Sequence, residues 1–140
     1  MTGERGWGPA SIRKAVVLVV VMAMWRSVQA HHSFAMFDTT TRVTLVGTVS
    51  AFEWTNPHVI IGIDVPEGGA LTPWTIELGS PSILMRGGWK FSDLKAGDKI
   101  TVVVNPLKSG LHGALLVSVT LPDGRMLGNG GPPPPPPTGR

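Results

Sequence analysis

No cysteine occurs among the 140 residues. That excludes disulfide staples, thiolate nucleophiles and thiolate metal ligands, and also the cysteine-anchored form of an exported lipoprotein. A domain without such staples has to be stable through burial alone. Long hydrophobic runs are missing too. The uninterrupted apolar stretch 15–25 has 11 residues and stops at Arg26, whereas a membrane-spanning helix needs about 20. There is no nucleophile elbow, phosphate-binding loop or Ser-His-Asp signature. Ser33 beside His32 is a proximity in sequence only. An enzyme is not expected.

What the N-terminus does contain is a targeting pattern. Arg5, Arg13 and Lys14 precede the apolar run, and Val28-Gln29-Ala30 then offers small residues where a signal peptidase cuts. The pattern predicts a signal peptide over residues 1–30, cleaved after Ala30, and a product that is periplasmic or secreted with no membrane anchor. Cleavage also removes the apparent basicity. Lys plus Arg falls from 12 to 8 with the loss of Arg5, Arg13, Lys14 and Arg26. Asp plus Glu falls from 9 to 8 with the loss of Glu4. The mature chain is then net zero, so the basic footprint of a nucleic-acid-binding domain is absent.

Beyond the cut, residues 31–41 read as a polar-aromatic arm and 42–127 as one domain. Val, Thr and aromatic residues mark a first strand over 43–54, with Gly47 suggesting a bulge or sharp bend. Asn56-Pro57 breaks it. A second strand over 59–65 ends at the Pro66-Glu67-Gly68-Gly69 turn, and 74–78 makes a short third. Ser80 as N-cap, Pro81 at the first helical position, an apolar Ile83-Leu84-Met85 and a Gly87-Gly88 stop predict a two-turn helix. Strands over 99–105 and 114–121 follow, the last one leading into the Pro122-Asp123-Gly124 turn. Three strands, a helix, then two strands is the order of a small five-stranded OB-like barrel. The alternative, a β-sandwich, gives no reason for the helix. Residues 128–140 carry Gly130-Gly131 and six consecutive prolines. That composition predicts a Gly/Pro-rich disordered tail leaving the fold, either simply solvated or able to dock a partner protein as an extended polyproline rod.

Several short motifs occur together in order: His31-His32-Ser33-Phe34, Gly47-Thr48-Val49, Trp54-Thr55-Asn56-Pro57-His58, Gly79-Ser80-Pro81, Gly88-Trp89, Leu94-Lys95-Ala96-Gly97-Asp98, and Val119 through Gly124. In these the chain resembles the DUF6152 family of exported bacterial proteins over about residues 30–127. The resemblance implies compartment and fold. The family has no assigned function, so it implies no chemistry.

Two sets of residues could form a working site. The first is metal-binding. Cleavage after Ala30 leaves His31 with a free α-amine beside its own imidazole. With a distant third nitrogen, such a terminus forms a histidine brace of the kind that suits Cu(II). His58 is the natural third ligand, His32 an adjacent one, and His112 lies in a loop. Against this, a His pair at a chain terminus binds metals weakly in many settings, and His58 can serve simply to bond a backbone carbonyl. The second set is a ligand face. Strands two and three of an OB barrel, with their flanking loops, carry the usual ligand, which points to Trp54, Asn56, His58 and Trp74. Tryptophan in so small a barrel is more often core, and Asn56-Pro57 is most simply a turn. Glu53 and Glu77 could share a groove as an acid-base pair, although strand carboxylates usually face solvent. The expected function is a non-enzymatic exported binding or adaptor domain for a small molecule or protein, the alternative being a copper (or other divalent metal) binding protein.

Overall fold

The computed structural model describes residues 34–133 and 135. The expected signal peptide, its cleavage point at Ala30, and His31 and His32 lie outside the described residues. By contacts the chain divides into Met1–Ala35 and Met36–Arg140. Apart from a single 3₁₀ turn over Phe34–Met36, everything described here belongs to the second unit.

Six strands and one helix follow in order: β1 Val43–Glu53, β2 Ile60–Glu67, β3 Ala70–Glu77, α1 Pro81–Arg86, β4 Lys99–Pro106, β5 Gly113–Thr120 and β6 Met126–Gly128. The period of two that defines a strand sorts their residues into inner and outer faces. Val59 just before β2 and Ile61, Ile63 and Val65 along it are buried, as are Ile100, Val102 and Val104 along β4. These side chains meet Leu45, Val49, Ile76, Leu116 and Val119 in one core.

β1 is long enough to serve two neighbours. Its first half pairs antiparallel with β4, from Val43↔Val104 to Thr48↔Lys99, and its second half with β2, from Thr48↔Asp64 to Glu53↔Ile60. β2 pairs with β3 and β4 with β5, both antiparallel. A short parallel pairing, Thr75↔Gly113 to Glu77↔Leu115, joins β3 to β5 and closes the ring. The result is a closed five-stranded mixed barrel in the circular order 1-2-3-5-4, with β6 as an extra strand. The expected OB-like barrel is the observed architecture, and the sandwich alternative drops out. α1 sits between β3 and β4 in the chain and drives Leu84 wholly into the core.

Several local expectations need correction. The β1 bulge falls at Ser50, between Val49 and Ala51, not at Gly47. Gly47 instead marks a close approach: a Cβ there would lie 2.9 Å from the Asp64 carbonyl oxygen and 3.3 Å from Ile63 Cδ1. Glycine is needed where another backbone presses this near. Ser80 occupies the N-cap by position, but its hydroxyl makes no cap bond and pairs with Ser82 Oγ at 3.1 Å. Of the three apolar helix residues only Leu84 is buried; Ile83 and Met85 are exposed. β3 starts at Ala70, because the β2–β3 hairpin zips down to Glu67↔Ala70 across the Gly68-Gly69 turn.

β6 was not expected, and the barrel explains it. β3 covers the outer edge of β5 only at 113–115, leaving the rest of that edge unpaired. β6 fills it with Ser118↔Gly128 to Thr120↔Met126, which removes an exposed strand edge. The fold therefore keeps hold of the chain past the boundary expected at Gly128. Trp89 Nε1 donates to the Gly128 carbonyl at 2.8 Å. The Gly79 amide donates to Asn129 Oδ1 at 2.7 Å. Gly130, at φ +85°, packs so closely on Ile83 that a Cβ would overlap its Cγ2. The arm is likewise docked in its second half. Phe37 is buried and bridges to Leu107, and the Asp38 amide donates to the Pro106 carbonyl at 2.8 Å.

Candidate functional site

The β1–β2 loop, residues 54–59, carries the most distinctive sequence of the chain. Asn56, Pro57 and Thr55 are exposed, and the Asn56–Pro57 peptide bond is cis. The loop then returns to the barrel at Val59, whose amide donates to the Gly79 carbonyl (3.1 Å) while its carbonyl accepts from the Leu78 amide (2.9 Å). This pair of backbone bonds extends the β2–β3 ladder by one step and fixes the residue just before it, His58.

His58 turns its ring toward the end of β3. Its Nδ1 lies 3.1 Å from the Leu78 carbonyl oxygen and 3.3 Å from Glu77 Oε1. A third of the His58 side chain stays exposed (33%). The imidazole is thus held at one nitrogen by a carbonyl and a carboxylate, an arrangement that sets ring orientation in many histidines with chemical work to do.

The β4–β5 loop reaches the same strand farther back. The His112 carbonyl accepts from the Thr75 amide at 3.0 Å, and the His112 ring lies over the Trp74 indole with centroids 5.0 Å apart, tilted 38°. Trp74 is in register with buried Ile63 and packs against the core from the rim. Its Nε1 is buried and has no hydrogen-bond partner among the protein groups. Two imidazoles therefore flank β3, one at Glu77-Leu78 and one at Trp74-Thr75. At about 3.3 Å per residue the two stations are roughly 10 Å apart.

Trp54 and Trp74 both pack partly buried on the core. Trp54 meets Phe52 edge-on (5.7 Å), and Phe52 stacks on Trp89 (6.3 Å, 27°), so an aromatic row runs from the loop inward. Trp89 is core in the full sense, at 2% exposure. Glu53 and Glu77 do share the outer face: Glu53 pairs with Ile60, which pairs with Glu77. The width of β2 separates them, about 10 Å between Cα positions, and Glu77 is turned to His58. No group of three or more His, Cys, Asp or Glu residues able to hold a metal occurs among the described residues.

Of the residues singled out from sequence, the structure brings His58 together with Glu77, and Trp74 together with His112. It does not join the two pairs into one cluster. The sequence offers Glu77 only as an acid-base partner of Glu53, and the structure turns it to His58 instead. The strand order alone carried that signal, since an OB arrangement sets the β1–β2 loop against the end of β3.

A family model described as a family of unknown function (DUF6152) matches residues 17–116. No curated protein and no solved structure matches the chain.

Proposed function

The chain belongs to the DUF6152 family, and on that premise we propose that it is an exported, non-enzymatic binding or adaptor domain, periplasmic or secreted. Its working surface is the β3 flank between the β1–β2 and β4–β5 loops. One observation carries this reading: both loops place an imidazole against β3, His58 at Glu77-Leu78 and His112 at Trp74-Thr75. That surface coincides with the ligand face of OB barrels, formed by strands two and three and the same two loops. Trp74 adds a flat apolar wall, and Trp54 and Asn56 lie in the first of the loops. Among the described residues no helix is long and apolar enough to cross a membrane. The polyproline tail, rooted at Trp89 and Gly79, is a second place for a protein partner.

The test is an NMR titration of ¹⁵N-labelled mature protein with a fragment panel of aromatic carboxylates, disaccharides and dipeptides. The Trp54 and Trp74 indole N–H signals and the His58 and His112 amides should shift together. The Trp89 indole, hydrogen-bonded in the core, should stay still. Shifts scattered over the barrel, or none at millimolar fragment, would reject this face.

A second reading is favoured by the orientation of His58. With Nδ1 against the Leu78 carbonyl, the ring has Nε2 left to bind a metal. In this reading the protein binds Cu(II) through the α-amine and ring of His31 and through His58, with His32 nearby in the chain. The assay is a Cu(II) titration followed by EPR on protein whose mass shows His31 as first residue. One-to-one binding with nitrogen hyperfine structure, abolished by one extra residue before His31, is the expected result. Weak binding indifferent to that residue sinks it.

A further inference from the structure

We propose that the free edge of β3, residues 70–74, is a self-association site at which two copies of the chain pair antiparallel about Leu71. The site uses the backbone edge that β5 does not reach. It stands apart from the ligand face and the copper reading above, and its failure leaves both untouched.

Alternate residues of a strand turn their N–H and C=O groups to opposite neighbours. The Thr75 amide donates to the His112 carbonyl on the β5 side, so the backbone groups of Pro73 and Leu71 also point to that side, away from β2. β5 pairs only with Thr75, Ile76 and Glu77. Among the described residues no backbone hydrogen bond closes the edge at Leu71 and Pro73, and Ala70, Leu71 and Pro73 are exposed. The edge therefore presents two acceptors, the carbonyls of Leu71 and Pro73, and one donor, the Leu71 N–H, because proline has none. The other edge of the same hairpin differs. β1 leaves β2 at Asp64, and the next residue of β2 that points outward is Pro66, so that edge keeps no donor. Strand edges are commonly guarded by charge, yet no charged residue occurs from Gly68 to Ile76.

The edge is complementary to itself. A two-fold axis beside Leu71 lets the Leu71 N–H and C=O of each copy exchange bonds with those of the other, as a hydrogen-bonded antiparallel pair does. Pro73 then comes opposite Gly69 of the second copy, whose amide lies outside the β2–β3 ladder and is available to the Pro73 carbonyl. A register centred on Pro73 has no donor at its centre, and one centred on Thr72 leaves the Leu71 carbonyl facing a proline. Leu71 is thus the centre that satisfies all three edge groups. In that register the two Leu71 side chains, 65% exposed in the single chain, lie directly opposite one another, with Cα atoms about 5.5 Å apart, and cover each other. With no charge on the edge, the two copies meet there without like-charge repulsion. The ladder is bounded by the Gly68-Gly69 turn at one end and by Thr75, already bonded to His112, at the other. It is therefore short, about 17 Å over residues 69–73. Contacts of this size fall below the roughly 1,200 Å² of a standard interface, so the dimer is weak and forms at high concentration.

Sedimentation velocity and amide exchange on the mature full chain test the proposal. The mean mass should rise from one chain toward two as concentration is raised to about 1 mM. Exchange of the Leu71 amide should slow in step with that rise, while the Thr72 amide, turned to β2, stays protected at every concentration. Two variants separate the edge from any other contact. Leu71→Lys sets a charge against its own copy. Leu71→Pro removes only the outward donor, as Pro73 already does two residues on. Neither touches a bond of the single chain, so both should keep the wild-type melting temperature within a few degrees and sediment as monomers where wild type dimerises. A wild type that stays monomeric at about 1 mM overturns the proposal, and so does a dimer that persists unchanged in both variants. A monomer whose Leu71 amide is protected only by an added Thr-Val repeat peptide overturns the second copy as occupant and gives the edge to a foreign strand.

Discussion

Replacing Trp89 by phenylalanine tests how the C-terminal strand is tied to the barrel. The indole is almost wholly buried and its Nε1 donates to the Gly128 carbonyl, the last residue of β6, at 2.8 Å. Phenylalanine keeps a ring in the slot and its stacking on Phe52, but it has no donor. The buried carbonyl then keeps the Gly130 amide (3.0 Å) but loses the indole, one hydrogen bond worth about 0.5–1.5 kcal/mol. The smaller ring also gives up apolar contact worth about 1 kcal/mol. The sum is roughly 1.5–2.5 kcal/mol by these two contributions. For a domain of this size each kcal/mol moves the midpoint by about 4–8 °C, so Tm should fall by roughly 6–20 °C. Thermal melts by circular dichroism give Tm. Amide exchange at 126–128 gives the local effect, and these amides should lose protection before those of β1 and β2. A fall in Tm below about 4 °C, or unchanged exchange in β6, would refute the claim that Trp89 holds the strand. Trp54→Phe is the control, since Trp54 is only partly buried and should cost much less.

Other consequences are as direct. Gly47→Ala places a methyl 2.9 Å from the Asp64 carbonyl, and urea melts should show a loss of about 1–3 kcal/mol as β1 and β2 are pushed apart. Gly88→Ala forces a side chain onto a residue at φ +92° just after α1, which should cost about 1–2 kcal/mol without changing the barrel's spectrum. Asp38 has its pKa lowered to about 2 from the usual 3.8 by hydrogen bonds from the Thr40 hydroxyl, then the Thr41 hydroxyl and the Thr40 amide. A carboxylate lowered on folding stabilises the native state above pH 3.8 and loses that contribution as pH falls through about 2. Asp38→Asn should therefore narrow its stability gap to wild type between pH 4 and pH 2, read from denaturant melts at stepped pH. A gap constant over that interval contradicts the assignment.

Much of this fold follows from local sequence. The alternation Val59, Ile61, Ile63, Val65 has no reading but a strand with one buried face, because a period of two puts every second side chain on the same side. The helix is equally local, since Pro81 fits a first turn and Gly88 supplies the left-handed residue that ends it. Six prolines in a row leave no backbone donors for a sheet. The strand–helix order was then enough to single out the barrel.

Tertiary structure decided the rest. β6 is three residues long, and nothing in Met126-Leu127-Gly128 marks a strand until β5 presents an unpaired edge to them. Gly47 announces an irregularity, but only the position of Asp64 across β1 shows that the need is for space and not for a bulge. The site divides in the same way. Trp54, Asn56, His58 and Trp74 stand out by residue type, which sequence displays directly. That His58 meets Glu77, 19 positions on, depends on the register of the β2–β3 hairpin, and that Trp74 meets His112, 38 positions on, depends on ring closure. Partners so distant in sequence are fixed by strand register, which composition and periodicity do not encode.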